Sequence, residues 1–345
     1  TDFYYRHLGL AQENQLWLVT HSDTLLRQAI GNSNYRVYHM QTANSTNDNQ
    51  ASPVLLDNDV ERAVVDLVGD LAAYRPHAKV VILEGKSVDG FDEMLIRRLF
   101  PEFAKQVNLV SAESKKRVRD LYAALNLSAE QMGMPNRFFA VVDRDAEGFR
   151  SAPDGEGEGD SGTTETTWDV YHVENFLLEP AAIRAAVSSL AGTEKFNSDE
   201  EVIAALRTAA AAIVDRLVLE EIRSEVNDEL VQAIEVGAAP TSTDIPADIL
   251  PSIEGSVQRI VVKGEEYSHE SLEGRVAALR EELEGYLESD GWLNRFPGRA
   301  ILRRFVGEHL SADYETFRNI VMDKMAISEY RPENMRSVLQ AILDA

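Results

Sequence analysis

Apolar residues fall in unbroken blocks in the first half of the chain and at spacings of three and four in the second. From residue 79 the blocks KVVIL (79–83), VNLV (107–110) and RFFAVVD (137–143) have strand length and no polar alternation. This pattern predicts strands buried on both faces. Between them, Phe91, Met94, Leu95 and Leu99 mark one face of a helix, and Val118, Leu121, Tyr122 and Leu125 mark another. Strands alternating with helices of this length predict right-handed βαβ units and a mainly parallel sheet. Trp168 to Val173 predicts one more strand, after the Gly- and acid-rich loop SAPDGEGEGDSGTTET (151–166).

The flanks read differently. LWLVT (16–20) predicts a short buried strand ending at His21-Ser22-Asp23, and TLLRQAIG a helix stopped by Gly31. QTANSTNDNQAS (41–52) has the composition of a linker, and Val60, Val64, Leu67 and Leu71 have helical spacing within 57–74. After Pro180 the chain becomes mostly helical, with one stripe at Leu206, Ala210, Ile213 and Leu217. A second stripe, Leu272, Val276, Leu279, Leu283 and Tyr286, is heptad-like over about two heptads. That length predicts packing inside a helical domain rather than a zipper.

Composition narrows the chemistry. The 345 residues include no cysteine, which excludes disulfide scaffolds and thiolate metal sites. No apolar run approaches the roughly 20 residues that span a bilayer, so no membrane partner is expected. TDFYYRHLGL at the start lacks a basic-then-apolar signal pattern, and a cytoplasmic protein is the expectation. The net charge of −24 argues against coating nucleic acid through the overall field. A local basic patch, with divalent cations at a reaction centre, remains compatible with it.

Acids stand at the ends of the predicted strands. Glu84-Gly85 follows KVVIL, Asp143-Arg144-Asp145 follows FFAVV, and Glu174 follows VYHV. In parallel α/β sheets ligands gather at the carboxyl ends of strands, so these acids can converge. Hard oxygen ligands suit Mg²⁺ or Mn²⁺. A lone Glu-Gly is usually a turn, and Asp-x-Asp also serves nucleotide and phosphate sites. The residue pattern alone defines a divalent-metal site in an α/β domain and no more.

VVILEGKSVDGFDEMLIRRLFPEF followed by FFAVVDRD resembles the TOPRIM domain of OLD-family and related ATPase-associated nucleases. YHVENFLLEP is similar to a block of the related DUF4435 proteins. The resemblance implies a TOPRIM (Rossmann-like) α/β fold, its mainly parallel sheet flanked by helices, with a mostly helical C-terminal domain. It implies metal ligands at Glu84, Asp143 and Asp145. A further acid normally follows the Glu-Gly; the commonest spacing falls on Val88, and Asp89, ahead of Asp92, is assigned here. Glu174 would serve a second metal and join the catalytic acids, while His172 and Asn175 of the same block are expected to be structural. NRFPGRAILRRF resembles a Pro-Gly-Lys segment, which gives Arg299 the role of neutralising transition-state charge. Arg295, Arg303 and Arg304 would bind phosphate; a solvated basic helix face is the alternative, as it is for Lys115, Lys116, Arg117 and Arg119.

LWLVTHSDTLLRQAI resembles the end of an ABC/SMC-type ATPase domain, where His21 would sense a γ-phosphate. No G-x-x-x-x-G-K-[ST] loop accompanies it. ATP is therefore expected only with a missing ATPase portion, in a longer chain or a separate partner. The expected organisation is an ATPase remnant at 1–45, linker and helix at 46–78, TOPRIM domain at 79–185 and helical domain at 186–345. The implied activity is a metal-dependent endonuclease on DNA or RNA, coupled to that ATPase in anti-phage defence and acting as a homo-oligomer. A non-catalytic TOPRIM scaffold that binds nucleic acid or assembles the ATPase is the alternative, and a primase-like nucleotidyl transferase a third.

Overall fold

The computed structural model describes residues 17–20, 29, 36–40, 51–53, 59–68, 74–75, 77–85, 90–131, 136–145, 165–237 and 244–345. They fall into two compact units. The first holds residues 1–143, 156–168 and 325–345; the second holds 144–155 and 169–324.

The first unit is an α/β layer built on a four-stranded, all-parallel sheet. Its strands are β3 (Val80–Leu83), β4 (Asn108–Ser111), β5 (Phe138–Val142) and β6 (Glu165–Thr167), in the order β4-β3-β5-β6. Every residue of β3 and β5 is buried, as the unbroken apolar blocks predict. Val80, Ile82, Val110, Phe138, Ala140 and Val142 share one core with α1 (Asp59–Val68) and α4 (Lys115–Gln131). Alternate strand residues turn to the other face. Helix α2 (Phe91–Leu99) packs against β4, and the short α3 (Pro101–Ala104) follows it.

The chain enters the sheet at β3, passes to β4 on one side, then crosses to β5 on the other. The carboxyl ends of β3 and β5 therefore flank the topological switch point, where an open α/β sheet leaves a crevice.

The last helix, α13 (Glu333–Asp344), also belongs to this unit and buries Met335, Leu339 and Ile342. Lys79 Nζ donates to the carbonyls of Ile342 and Leu343 at 2.7 and 2.8 Å. An ammonium at a helix C-terminus is worth about 0.3–1 kcal/mol. This return of residues 325–345 departs from the simple break expected at residue 185.

A hairpin of β1 (Tyr38–Met40) and β2 (Ala51–Pro53) stands apart from that sheet, so the expected linker ends in strand rather than coil. LWLVT is not a buried strand: residues 17–20 have no regular structure, and Trp17 is 77 % and Val19 87 % exposed. No sheet neighbour pairs with this run among the described residues; Trp17 instead stacks on Tyr38, ring centres 6.2 Å apart. His21, Asp89, most of the predicted helix at 24–31 and most of the acidic loop lie outside the described residues.

The second unit is helical. It comprises α5 (Pro180–Ala191), α6 (Asp199–Ala211), α7 (Val214–Gln232), α8 (Ile245–Glu266), α9 (His269–Glu288), α10 (Trp292–Arg295) and α11 (Gly298–His309). Helix α12 (Tyr314–Ile327) carries the chain back to the first unit. Leu206, Ala210, Ile213 and Leu217 are buried across α6 and α7, and α9 packs on α7.

Trp168 to Val173 is not a strand. Pairing in the sheet ends with Thr167 opposite Val142, and Trp168 N–H closes it on the Val142 carbonyl at 3.0 Å. The backbone bonds of the next residues go elsewhere: Tyr171 N–H donates to Asn294 O at 2.7 Å, and Val173–Leu177 forms a 3₁₀ turn. Glu174 therefore sits in a 3₁₀ turn, not at a strand end.

Candidate metal centre

In the first unit two acids follow adjacent strand ends at the switch point. Glu84 follows β3 and Asp143 follows β5, and the register pairs Leu83 with Val141. Neighbouring strands lie about 4.8 Å apart, so side chains just past their ends are within reach of one another. The backbone N–H of Asp143 donates to Glu84 Oε2 at 3.3 Å. Both residues are partly exposed, as ligands open to a cation must be.

Lys115, at the start of α4, donates from Nζ to the Asp143 carbonyl at 3.0 Å. In the sequence this lysine is one of four clustered bases. The signal for singling it out is its position, just past the carboxyl end of β4 on the same edge of the sheet.

The Glu-Gly turn has a specific support. Gly85 N–H donates to Asp92 Oδ2 at 3.1 Å, and a Cβ on Gly85 would lie 3.0 Å from Asp92 Cγ. Asp92 is 6 % exposed in the first turn of α2. Its carboxylate holds the turn from one side, and the Glu113 N–H donates to the Gly85 carbonyl at 3.1 Å.

Asp143 closes the first unit, and Asp145, two residues on, belongs to the second. Asp145 adopts a left-handed backbone, φ 50°, which is uncommon outside glycine although tolerated by Asp. Its N–H bonds to Tyr171 O at 2.9 Å, and its carboxylate lies 3.2 Å from His172 Nε2. A non-glycine residue held at positive φ is a form of local strain that clusters at functional sites. Burial, then the charge of Asp145, pushes the Tyr171 hydroxyl up to about 12. His172 thus orients the second acid of Asp-x-Asp. From the sequence it carries little weight, because a histidine on a strand is more often structural.

The HVEN block and the Pro-Gly-Arg segment form one assembly. Asn175, 5 % exposed, donates from Nδ2 to the carbonyls of Leu293 and Phe296, each at 2.7 Å. Its Oδ1 accepts from Gly298 N–H at 3.0 Å and from His172 N–H at 3.1 Å. The amide has used both donors and both lone pairs. A Cβ at Gly298 would stand 2.8 Å from the Asn175 backbone, which no real Cβ tolerates, so only glycine fits there.

Glu174 is fully buried, and its Oε1 accepts from Arg299 Nε at 2.7 Å, with Nη2 on the same oxygen. Glu174 Oε2 and the Tyr314 hydroxyl have no hydrogen-bond partner. Burial, then the Glu174 carboxylate, raises the Tyr314 hydroxyl far above the ordinary phenol range. The other arginines of the segment are also engaged. Arg295 lies over Tyr286 at 5.8 Å, Arg303 over Tyr314 at 5.1 Å, and Arg304 pairs with Glu308. Of the second basic cluster, Arg117 pairs with Glu113 and Arg119 with Glu165 at 2.9 Å.

Removing one member of a buried pair leaves the other uncompensated, whereas neutralising the buried acid does not. Arg299 is half exposed, which reduces its share. Arg299→Ala should destabilise the second unit by about 2 kcal/mol, clearly more than Glu174→Gln. Urea unfolding of both variants checks this, and an Arg299→Ala midpoint equal to wild type would remove the structural role.

Comparison with protein-family models, curated proteins and solved structures finds no match. No helix among the described residues is long and apolar enough to cross a membrane.

Proposed function

We propose that the chain carries a TOPRIM-like, divalent-metal-dependent phosphodiesterase site that cleaves DNA or RNA. The observation that supports this is the placement of Glu84 and Asp143 just past the carboxyl ends of adjacent parallel strands, where the Asp143 N–H donates to the Glu84 carboxylate. The donor set fits a hard cation: both side chains are carboxylates and both are partly open to solvent. Asp145, the second acid of Asp-x-Asp, is included on the strength of the sequence resemblance. Glu84, Asp143 and Asp145 would hold Mg²⁺ or Mn²⁺, which when bound supplies Lewis acidity toward a phosphoryl oxygen.

The chain's own groups have separable roles. His172 holds the Asp145 carboxylate, Asp92 fixes the turn that carries Glu84, and Lys115 sets the end of β5 and brings positive charge near a phosphate. Arg299, as observed, neutralises Glu174. Contact with a substrate phosphate would require it to share or leave that pair, so Arg299 is proposed as a positioning residue. Glu174 remains a candidate second-metal ligand through its unpartnered Oε2, and Asp89 a candidate beyond the described residues. A homo-oligomeric, cytoplasmic nuclease coupled to an ABC-type ATPase, with His21 serving that ATPase, completes the proposal. Its support is the sequence resemblance.

The engagement of Arg299 by Glu174 favours a second reading, a non-catalytic TOPRIM scaffold. Incubating the chain with plasmid, linear duplex, single-stranded DNA and tRNA separates the two. The nuclease predicts products in Mg²⁺ or Mn²⁺ and none in EDTA. Binding without products in any metal would leave the scaffold.

A further inference from the structure

Helix α8 is built inside out. At about 100° per residue, Ser252, Ser256, Arg259 and Lys263 fall on one face, and Leu250, Ile253, Val257 and Val261 fall on the opposite one. The polar face is the one turned to the protein. Ser252 Oγ accepts from Gly237 N–H at 3.1 Å, and Ser256 Oγ accepts from Glu235 N–H at 3.0 Å. Arg259 Nε donates to Ala233 O at 3.0 Å, and Lys263 Nζ lies 3.7 Å from Glu229. The apolar face is left in solvent, with Leu250 57 %, Ile253 41 %, Val257 55 % and Val261 49 % exposed.

An amphipathic helix ordinarily turns its apolar stripe to the core. Here specific bonds from Ser252, Ser256 and Arg259 hold the reverse orientation, so the stripe is a contiguous surface suited to a cover. Charge says what covers it. The two basic residues of α8, Arg259 and Lys263, are partly exposed but lie on the face away from the stripe and bond there to Ala233 O, Glu229 and Glu266, while the charges beside the stripe are Glu254 and Glu265. Across residues 214–288 there are eighteen acids and six bases. A second copy of this chain would set acids against these acids along the seam, and like charges flanking a helix pair oppose association.

We propose that this face docks an amphipathic helix from a different polypeptide, whose apolar stripe is flanked by lysine or arginine. The recognition mode is helix against helix, with apolar anchors at steps of three and four and basic flanks setting the choice of partner.

Two synthetic helical peptides with the same leucine stripe, one flanked by lysines and one by glutamates, test this by fluorescence anisotropy against the full chain. The lysine-flanked peptide should bind at least about tenfold more tightly and should weaken as salt rises. Val257→Asn combined with Val261→Asn keeps the charge, alters only solvent-facing positions, and should weaken it about tenfold or more. No binding, equal binding of both peptides, or an affinity indifferent to the double substitution would each overturn the proposal. So would sedimentation showing a dimer of the wild-type chain that the double substitution dissolves, since a second copy would then be the occupant.

Discussion

Asp143→Asn is expected to lower Mg²⁺- or Mn²⁺-supported cleavage about a hundredfold or more. The substitution keeps the size of the side chain and the backbone N–H that donates to Glu84 Oε2. It removes a negative charge where two strand ends converge, so it acts on cation affinity and not on the sheet. The sheet should be no less stable in the absence of metal, because Asn keeps the backbone bonds that Asp143 makes with Glu84 and Lys115. Glu84→Gln should behave alike. His172→Ala should retain more activity than either, since His172 acts through Asp145. A His172→Ala loss as large as that of Asp143→Asn would move the histidine into the metal shell. Cleavage unaffected by Asp143→Asn would remove the acid from the reaction.

Asn175→Ala should cost about 3–5 kcal/mol and lower the melting temperature of the second unit by about 10 °C. It orphans two N–H groups and two carbonyls in one step, those of His172, Gly298, Leu293 and Phe296. Asn175→Asp keeps the acceptor and loses both donors, so its effect should be intermediate in number of lost bonds and worsened by a buried charge. Gly298→Ala attacks the same joint through sterics, at about 2–3 kcal/mol, because two of the three contacted Asn175 atoms are backbone and cannot swing aside. Thermal melts of all three should rank them below Arg299→Lys. A wild-type melting temperature for Asn175→Ala would show that the hydrogen-bonded hub does not hold the turn.

The sequence made the sheet legible because β3 and β5 are buried on both faces and so read as unbroken apolar blocks. The same rule failed at LWLVT, an apolar run of strand length that is exposed. Periodicity reports what a segment can bury, and a strand also needs a neighbour. It failed again at Trp168–Val173, because the bonds that turn this segment away come from Asn294, far along the chain, and from the side chain of Asn175 in the following turn. Glu84 and Asp143 were visible as acids following strands. Asp92, Lys115 and His172 were not, since each acquires its role from a contact across elements. Asn175 and Gly298 belonged to two separate sequence blocks, and the hydrogen bond between them makes these blocks one assembly.

Glu84, Asp143 and Asp145 are proposed to hold a divalent cation. Electron paramagnetic resonance of Mn²⁺ titrated into the chain measures this directly, because free Mn²⁺ gives a sharp six-line signal that is lost on binding. Wild type should remove at least one equivalent with a sub-millimolar Kd, competed by Mg²⁺. Glu84→Gln combined with Asp143→Asn should leave the signal of free Mn²⁺ nearly intact at the same concentrations. Equal loss of signal for wild type and double variant would contradict the account, since the cation would then be bound elsewhere on a chain of net charge −24.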